Sequence, residues 1–280
     1  MTAAIDRFRD ALRGRGILAP DDLIADGGLH RCDVDGGKRG KGDGAYLLHL
    51  DGYPAGGYEN WRDGLGWQVW KADSGRTFTA EERAAYRKRT VAASRQREAD
   101  KEGRHADAAK RAAAIWAASK PGPHPYLDRK GVEAHGTAVY KGALVVPVRD
   151  STGALTSLQF IAEDGTKRFL TGGRVEGCYF RMGGKPADAL CVAEGFATGA
   201  SIHQATGHPV AVAFDAGNLE PVALALRQKL PAGVRLIICA DDDRDTEITT
   251  GCNPGRIKAQ AAARAVRGFV ALPTFAEEAA

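Results

Sequence analysis

Carboxylate side chains end two strongly apolar segments of this 280-residue sequence. The segment LCVA runs directly into Glu194, and the segment LIICA runs into Asp241, Asp242 and Asp243. If the two strands are neighbours in one sheet, these carboxylates emerge at the same edge, with Asp241 and Asp243 on one side and Asp242 on the other. Crowded carboxylates repel one another unless they are neutralised, and hard oxygen ligands of this kind suit Mg²⁺ or Mn²⁺. Acidic residues after strands also cap helices and form turns, but a run of three opposite a glutamate favours a metal site.

The elements that must position these carboxylates follow a regular strand–helix alternation. Strands are predicted at residues 189–193, 210–214, 234–239 and 269–272, and helices are predicted at residues 198–206, 219–229 and 254–267. Continuous apolar strands separated by amphipathic helices imply a parallel sheet that is covered on both faces. Ligands bind such sheets at the carboxyl ends of the strands.

The middle of the chain contains a helical zone followed by a boundary. Residues 76–120 hold 12 Arg and Lys against 6 Asp and Glu, and no glycine occurs between Arg76 and Glu102, so we expect one long helix or a helical pair. This basic zone is either a solvated connector or a contact for nucleic-acid phosphates. A proline-rich boundary follows at residues 121–132, and then a hairpin is predicted from residues 143–148 and 155–161.

The N-terminal zone, residues 1–75, is predicted to be a short helix at residues 3–15 followed by a small antiparallel sheet, with strands at residues 45–50 and 67–70. Its aromatic residues either stack single-stranded bases or form the core of the small sheet; they are Trp61, Trp67, Trp70 and Tyr46. The basic, glycine-rich segment GGKRGKGDG (residues 36–44) is expected to be a mobile loop that could contact the phosphate backbone of a nucleic acid.

Composition excludes several classes of protein. The net charge of +4 is only mildly basic, and the five cysteines include no CxxC pair, which argues against a zinc ribbon and a disulfide framework. Cys191 and Cys239 lie in apolar strands and are predicted to be buried thiols. The sequence has no 18-residue apolar run and no hydrophobic signal core, so we expect a cytoplasmic protein without a membrane partner.

The C-terminal motifs resemble a known family. The segments CVAEGFATGAS, AVAFDAGNL, LIICADDD and NPGRIKAQAAARAV, spread over about 85 residues, resemble the Toprim domain of DnaG-like primases, topoisomerases and some nucleases. The upstream segments YLDRKGV and ALVVPVRDSTGALTSLQFIAEDGTKRFLTGG resemble the N-terminal part of a primase polymerase core, which extends the likeness to residues 125–273. The segments EGFATGAS and DDLIADGGLHRCDVDGGKRGKGDGAYLLHLDG look most like plasmid and phage primases of the TraC and primase–helicase type.

This resemblance implies a DNA primase of a mobile element, a nucleotidyltransferase that makes short oligonucleotide primers on single-stranded DNA. The implied partners are the DNA template, nucleoside triphosphates and a separate replicative helicase, since the sequence has no GxxxxGK[ST] phosphate loop. The alternatives are a Toprim-type metal-dependent nuclease and a non-catalytic accessory protein that binds single-stranded DNA.

The resemblance also implies roles for individual residues. Glu194, Asp241 and Asp243, with Asp242 as a further candidate, would hold Mg²⁺ or Mn²⁺. The candidates for nucleotide or template binding are Lys167, Arg168, Arg149, Lys141 and Asn218, the last of which could equally cap a helix. Primases of this type usually carry another carboxylate where this chain has Thr198, so a second metal site is only partly encoded.

We therefore expect an α/β fold in which a Toprim domain with a parallel four-stranded sheet is flanked by helices. A small primase-like α+β subdomain and an N-terminal antiparallel β module would precede it. The predicted divisions are an N-terminal module at residues 1–75, a basic helical linker at 76–120, a primase-core subdomain at 121–187 and a Toprim catalytic domain at 188–280.

Overall fold

The computed structural model of the protein describes residues 2–50, 53–72, 80–241 and 253–273. The chain divides into two compact units, Met1–Arg97 and Glu98–Ala280. The boundary falls within one long helix rather than at the ends of the expected linker, and the predicted division into four parts stays a prediction.

The first unit packs one helix against an antiparallel sheet, as the sequence predicts. Helix α1 (Thr2–Arg13) precedes five strands that pair in chain order: β1 (Ile17–Leu18), β2 (Asp26–Val34), β3 (Gly44–His49), β4 (Ala55–Asn60) and β5 (Gln68–Lys71). Phe8 of α1 lies at the centre of the core, where its ring centroid is 5.0 Å from that of Trp70 and 6.1 Å from that of Tyr46. Two of the four aromatic candidates, Tyr46 and Trp70, therefore belong to the core.

A single helix, α2 (Ala80–Ala118), occupies the basic zone. Its C-terminal part contributes to the core of the second unit, because Ala112 is buried against Val145 and Leu158 of the sheet that follows. This part of α2 is thus a packed element of the second unit, whereas the charged side chains of residues 95–102 face solvent.

The primase-like region forms a four-stranded antiparallel sheet. A short helix, α3 (Pro125–Lys130), leads into β6 (Ala138–Tyr140), β7 (Ala143–Arg149), β8 (Leu155–Ile161) and β9 (Lys167–Phe169), which pair in chain order. The predicted hairpin is confirmed, since β7 and β8 pair along their length from Leu144 and Ile161 to Arg149 and Leu155.

The C-terminal sheet has five strands in the order β10-β12-β11-β13-β14. The four predicted strands are parallel to one another: β11 (Ala189–Ala193), β12 (Val210–Val212), β13 (Arg235–Cys239) and β14 (Phe269–Ala271). The prediction of a purely parallel four-stranded sheet is wrong, because β10 (Phe180–Met182) adds an antiparallel edge strand beside β12. Three residues with only two buried side chains carry too weak a pattern to be read as a strand.

Helices cover both faces of this sheet. Helices α5 (Leu219–Lys229) and α6 (Pro254–Val266) bury one face over Leu190, Val192 and Leu236, while α4 (Phe196–Thr206) lies near Val210 and Val212 on the other. Cys191 and Cys239 are buried free thiols between neighbouring strands, as expected. Within the described ranges, no helix combines the length and apolar character needed to cross a bilayer.

Candidate active site

The carboxyl ends of β11 and β13 bring Glu194 and Asp241 to one place. Ala193 is in register with Cys239 across the two parallel strands, so Glu194 and Asp241 leave neighbouring strands that lie about 4.8 Å apart. Both residues line one cavity of about 370 Å³. The other two predicted ligands, Asp242 and Asp243, lie outside the described residues.

Elements from both sheets of the second unit form the wall of this cavity. The lining residues come from α3, from the turn between β8 and β9, from β9, from the start of α4 and from the ends of β11, β12 and β13; they are Tyr126, Arg129, Lys130, Asp164, Gly165, Lys167, Glu194, Gly195, Ala197, Thr198, Phe214 and Asp241. The cavity is therefore built by the whole unit and not by the C-terminal sheet alone.

Lys167 is the predicted basic residue that lines the cavity together with the two carboxylates. A methyl group built at Gly195 would lie 3.8 Å from Lys167 Nζ and 3.7 Å from Thr198 Oγ1. Gly195 is the N-cap of α4 and provides no side chain to cap the helix, and Gly195, Ala197 and Thr198 of this helix start line the cavity beside Lys167. An ammonium group beside a helix N-terminus forms an electropositive region that favours anions.

The α3 side of the cavity was not predicted from the sequence. The segment containing α3 was interpreted as a boundary because of its prolines, yet Pro125 starts α3 and the His124 ring accepts a hydrogen bond from the Tyr126 amide. Arg129 and Lys130 in the last turn of this helix line the cavity. The sequence feature that could have indicated this role is the pair Arg129-Lys130, which follows the helix start at Pro125.

A tight turn holds Asp164 at the cavity rim. Its two carboxylate oxygens accept hydrogen bonds from the amide and the hydroxyl of Thr166, at 2.8 and 2.9 Å. These bonds, the amide first, hold the pKa of Asp164 below its ordinary value. Gly165 adopts φ of +90°, which a glycine accommodates without strain, and a Cβ at this position would lie 3.0 Å from Arg129 Nη2.

Three other predicted basic residues are described but do not line this cavity. Arg168 follows Lys167 on β9, so its side chain points to the opposite face, where its guanidinium lies 5.6 Å from the Phe160 ring. The Arg149 guanidinium donates to the Gly153 carbonyl oxygen at 3.0 Å, and the Lys141 ammonium lies 5.4 Å from the Tyr140 ring. Of the predicted basic side chains, only Lys167 is brought to the carboxylates.

Asn218 is a buried residue at the start of α5. Its side chain is only 5% exposed, and its amide nitrogen lies within hydrogen-bonding distance of the carbonyl oxygens of Val175, Cys178 and Ala213 at 2.8–3.1 Å. Its amide oxygen accepts a hydrogen bond from the Gly177 amide at 2.8 Å. Asn218 occupies the N-cap position of α5, as one interpretation expects, but its side chain makes no capping hydrogen bond there. Its amide instead ties the segment before β10 to the end of β12.

The donor set suits a divalent metal in type. Glu194 and Asp241 supply carboxylate oxygens at adjoining strand ends, and such oxygens are the preferred ligands of Mg²⁺ and Mn²⁺. Among the residues that the structure describes, no group of three His, Cys, Asp or Glu side chains is close enough to hold an ion by itself. A complete metal site would thus need a further ligand in addition to Glu194 and Asp241, which is the role predicted for Asp243.

Comparison with known proteins assigns the sheet that carries these residues. A model of the Toprim domain matches residues 189–276. Residues 189–276 are therefore similar to the Toprim domain family. The predicted Toprim domain is thereby confirmed, and Glu194 and Asp241 are the described carboxylates at its strand ends.

The chain is also similar to two curated proteins over nearly its full length. It is 39% identical over 283 residues to a DNA primase TraC of Escherichia coli, an alignment that covers 97% of this chain and 26% of that protein. A second DNA primase TraC of the same species is 38% identical over 285 residues, covering 97% of this chain and 20% of that protein. The chain therefore spans about a quarter or less of the length of these relatives.

Among solved structures, the primase fragment of the bacteriophage T7 primase–helicase protein is 17% identical, with a TM-score of 0.41. That alignment covers 55% of this chain and 66% of the T7 fragment.

Proposed function

We propose that this chain is the catalytic part of a DNA primase of a plasmid or phage. In this proposal it joins nucleoside triphosphates into short primers on a single-stranded DNA template, with Mg²⁺ or Mn²⁺ as the metal. The observation that carries the proposal is that Glu194, Asp241 and Lys167 line one cavity at the carboxyl ends of neighbouring Toprim strands. The names of the two curated relatives support the same activity.

The charges in the cavity support a metal-dependent reaction on phosphates. The described lining has three carboxylates, Asp164, Glu194 and Asp241, and three cations from α3 and β9, so its formal charge is 3 − 3 = 0. A triphosphate carries several negative charges, and a cavity without net positive charge does not attract it strongly. Binding a divalent cation at Glu194 and Asp241 would make the cavity positive.

The protein side chains would divide the work by position. Glu194 and Asp241, together with Asp243 and its neighbour Asp242, would hold the metal, which supplies charge neutralisation at the transferred phosphate and lowers the pKa of the attacking hydroxyl. Lys167 would bind phosphate oxygens beside the N-terminus of α4.

On the other wall, Arg129 and Lys130 of α3 would contact the remaining phosphates of the incoming nucleotide. Arg168, Arg149 and Lys141 face away from this cavity or lie outside its lining, so we propose that they contact the template strand rather than the triphosphate. A replicative helicase remains the proposed protein partner.

The test is a primer-synthesis assay with single-stranded DNA, labelled NTPs or dNTPs, and Mg²⁺ or Mn²⁺. The wild-type protein is compared with Asp241→Asn and with Asp188→Asn as a matched control, because Asp188 precedes β11 at the opposite end of the same sheet and is exposed. Short labelled oligomers from the wild type and from Asp188→Asn, but not from Asp241→Asn, are the expected result. A shortened template would identify a nuclease instead, and DNA binding without any product would identify an accessory protein.

A further inference from the structure

The N-terminal sheet exposes a face that its own helix does not cover. Strand alternation directs Tyr46 and Tyr58 toward α1 and directs their neighbours outward. The outward face carries Leu29, Arg31, Glu59 and Val69, of which Leu29 and Val69 are 59% and 72% exposed. Leu29 and Val69 therefore give this face exposed apolar surface beside its charged residues.

Two tryptophans lie on this face with their rings accessible. Trp61 and Trp67 are 42% and 43% exposed, in contrast to the buried ring of Tyr46. Trp67 lies over Gly57, where a Cβ would come within 2.6 Å of the indole, so the absence of a side chain lets the ring lie against the sheet. The Arg31 guanidinium lies 4.4 Å from the centroid of the Trp61 ring.

A basic loop borders the tryptophan end of the face. The loop between β2 and β3 carries Lys38, Arg39 and Lys41 in exposed positions. Asp33 at the end of β2 fixes the loop, because its carboxylate accepts hydrogen bonds from the Gly40 and Gly42 amides at 2.7 and 2.9 Å. These two bonds hold the pKa of Asp33 below its ordinary value.

Two of the acidic groups at this end of the face are already engaged. Asp33 is occupied by the loop amides, and Asp43 lies 3.7 Å from both Lys41 and Arg62. The exposed cations and the two indoles at this end are accompanied by two further carboxylates, the exposed Asp35 of the same loop and the half-buried Glu59 of the sheet face.

We propose that this face, formed by Trp61, Trp67, Arg31 and the loop at residues 36–44, binds single-stranded nucleic acid. Bases stack on the exposed indoles and the strand backbone lies along Lys38, Arg39 and Lys41, the combination by which proteins hold single strands with little sequence preference. The stacked guanidinium and the basic border favour a polyanion over an apolar peptide, for which Leu29 and Val69 alone would be the anchors. The inference extends the proposed function by giving the template a second contact, distant in sequence from the catalytic residues.

The test uses the full chain without nucleotide or metal, so that the binding signal does not depend on polymerase activity. Anisotropy of a labelled oligodeoxythymidylate is measured for the wild type, Trp61→Ala, Trp67→Ala and, as a matched control, Val69→Thr, which removes exposed apolar surface but no ring. Each tryptophan variant is expected to weaken binding about tenfold, and Val69→Thr is expected to leave it within about twofold. A Lys38→Ala/Arg39→Ala variant should reduce the slope of log affinity against log salt by about 1.4, or 0.7 for each lost phosphate contact.

Photo-crosslinking with an oligonucleotide that contains iododeoxyuridine locates the contact directly. Crosslinks at Trp61 or Trp67 support the proposal, while crosslinks confined to residues 98–273 overturn it. Equal losses in Val69→Thr and the tryptophan variants would also overturn it and indicate an apolar partner. Unchanged melting temperatures of the variants guard against unfolding, which is not expected because the replaced rings lie outside the Phe8 core. If the tryptophan variants bind DNA normally while the wild-type protein makes primers, this inference fails and the proposed function stands. If the tryptophan variants lose binding while the wild-type protein binds DNA but makes no primers, this inference stands and the proposed function fails.

Discussion

Replacing Asn218 by alanine tests whether this residue is a scaffold or a nucleotide contact. The substitution removes four hydrogen-bonding contacts, two with fully buried carbonyl groups and two with partly buried groups. The amide nitrogen has two hydrogens, so the side chain makes at most three full bonds at a time. At about 1 kcal/mol for each of the two buried bonds and about half of that for the partly buried bond from Gly177, unfolding of the second unit becomes easier by about 2.5 kcal/mol. This loss lies at the upper end of ordinary single substitutions.

The assay is urea denaturation followed by circular dichroism, combined with hydrogen exchange at the Gly177 amide. Asn218→Ala should lower the unfolding midpoint and expose this amide, whose acceptor is the lost amide oxygen. Asn218→Asp should be at least as harmful, because it sets a carboxylate against three carbonyl oxygens within 3.1 Å. An Asn218→Ala protein with wild-type stability and a raised KM for nucleotide would refute the scaffold role and support the predicted nucleotide-binding role.

Three further predictions concern the cavity, the packing of glycines and the first unit. Lys167→Ala should raise the KM for nucleotide about tenfold in primer synthesis, whereas Arg168→Ala, on the opposite face of β9, should change it by less than about twofold; equal effects would contradict the assigned faces. Gly199→Ala should lower the free energy of unfolding by about 1 kcal/mol, because its Cβ would lie 2.9 Å from a valine methyl group of β12. Gly103→Ala in the exposed part of α2 should raise it by a similar amount, because alanine favours a helix over glycine. Urea denaturation measures both changes, and a gain at both sites would argue against the packing of α4. Asp63→Asn removes a two-bond ion pair at 2.7 and 2.9 Å and should destabilise the first unit by about 1 kcal/mol at neutral pH. The hydrogen-bonded Arg15 lowers the pKa of Asp63, so this contribution is present above the ordinary aspartate pKa and disappears as the pH falls through the lowered value. The melting temperatures of the wild type and the variant should therefore converge in acid. A difference in melting temperature that stays constant with pH would exclude the ion pair as its source.

The elements with long periodic patterns could be predicted from the sequence. The four parallel strands were continuous apolar runs, and the hairpin of β7 and β8 combined β-branched residues with an Asp-Ser-Thr-Gly turn. The proximity of Glu194 and Asp241 could be predicted in the same way, because each residue follows the end of a strand and the two strands are neighbours. Their shared cavity is thus the part of the site that local pattern could foresee.

The remaining features depend on contacts between distant segments. Arg129 reaches the cavity only because α3 packs beside the turn that holds Asp164, and no local pattern records that contact. The sequence also did not distinguish core from exposed tryptophans. Trp70 lies on the side of the sheet that α1 covers and Trp67 lies over Gly57, and this difference depends on strand pairing rather than on residue type.

The most direct test of the central claim is a double-mutant cycle on primer synthesis with Glu194→Gln, Asp241→Asn and the double variant. Two carboxylates that serve one metal-dependent site act as a unit, so each single change should reduce the rate by about a hundredfold or more and the double variant should be no worse than the more affected single variant. Asp188→Asn should keep the wild-type rate. Losses that multiply in the double variant, or a single variant that retains the wild-type rate, would contradict the assignment of Glu194 and Asp241 to one catalytic site.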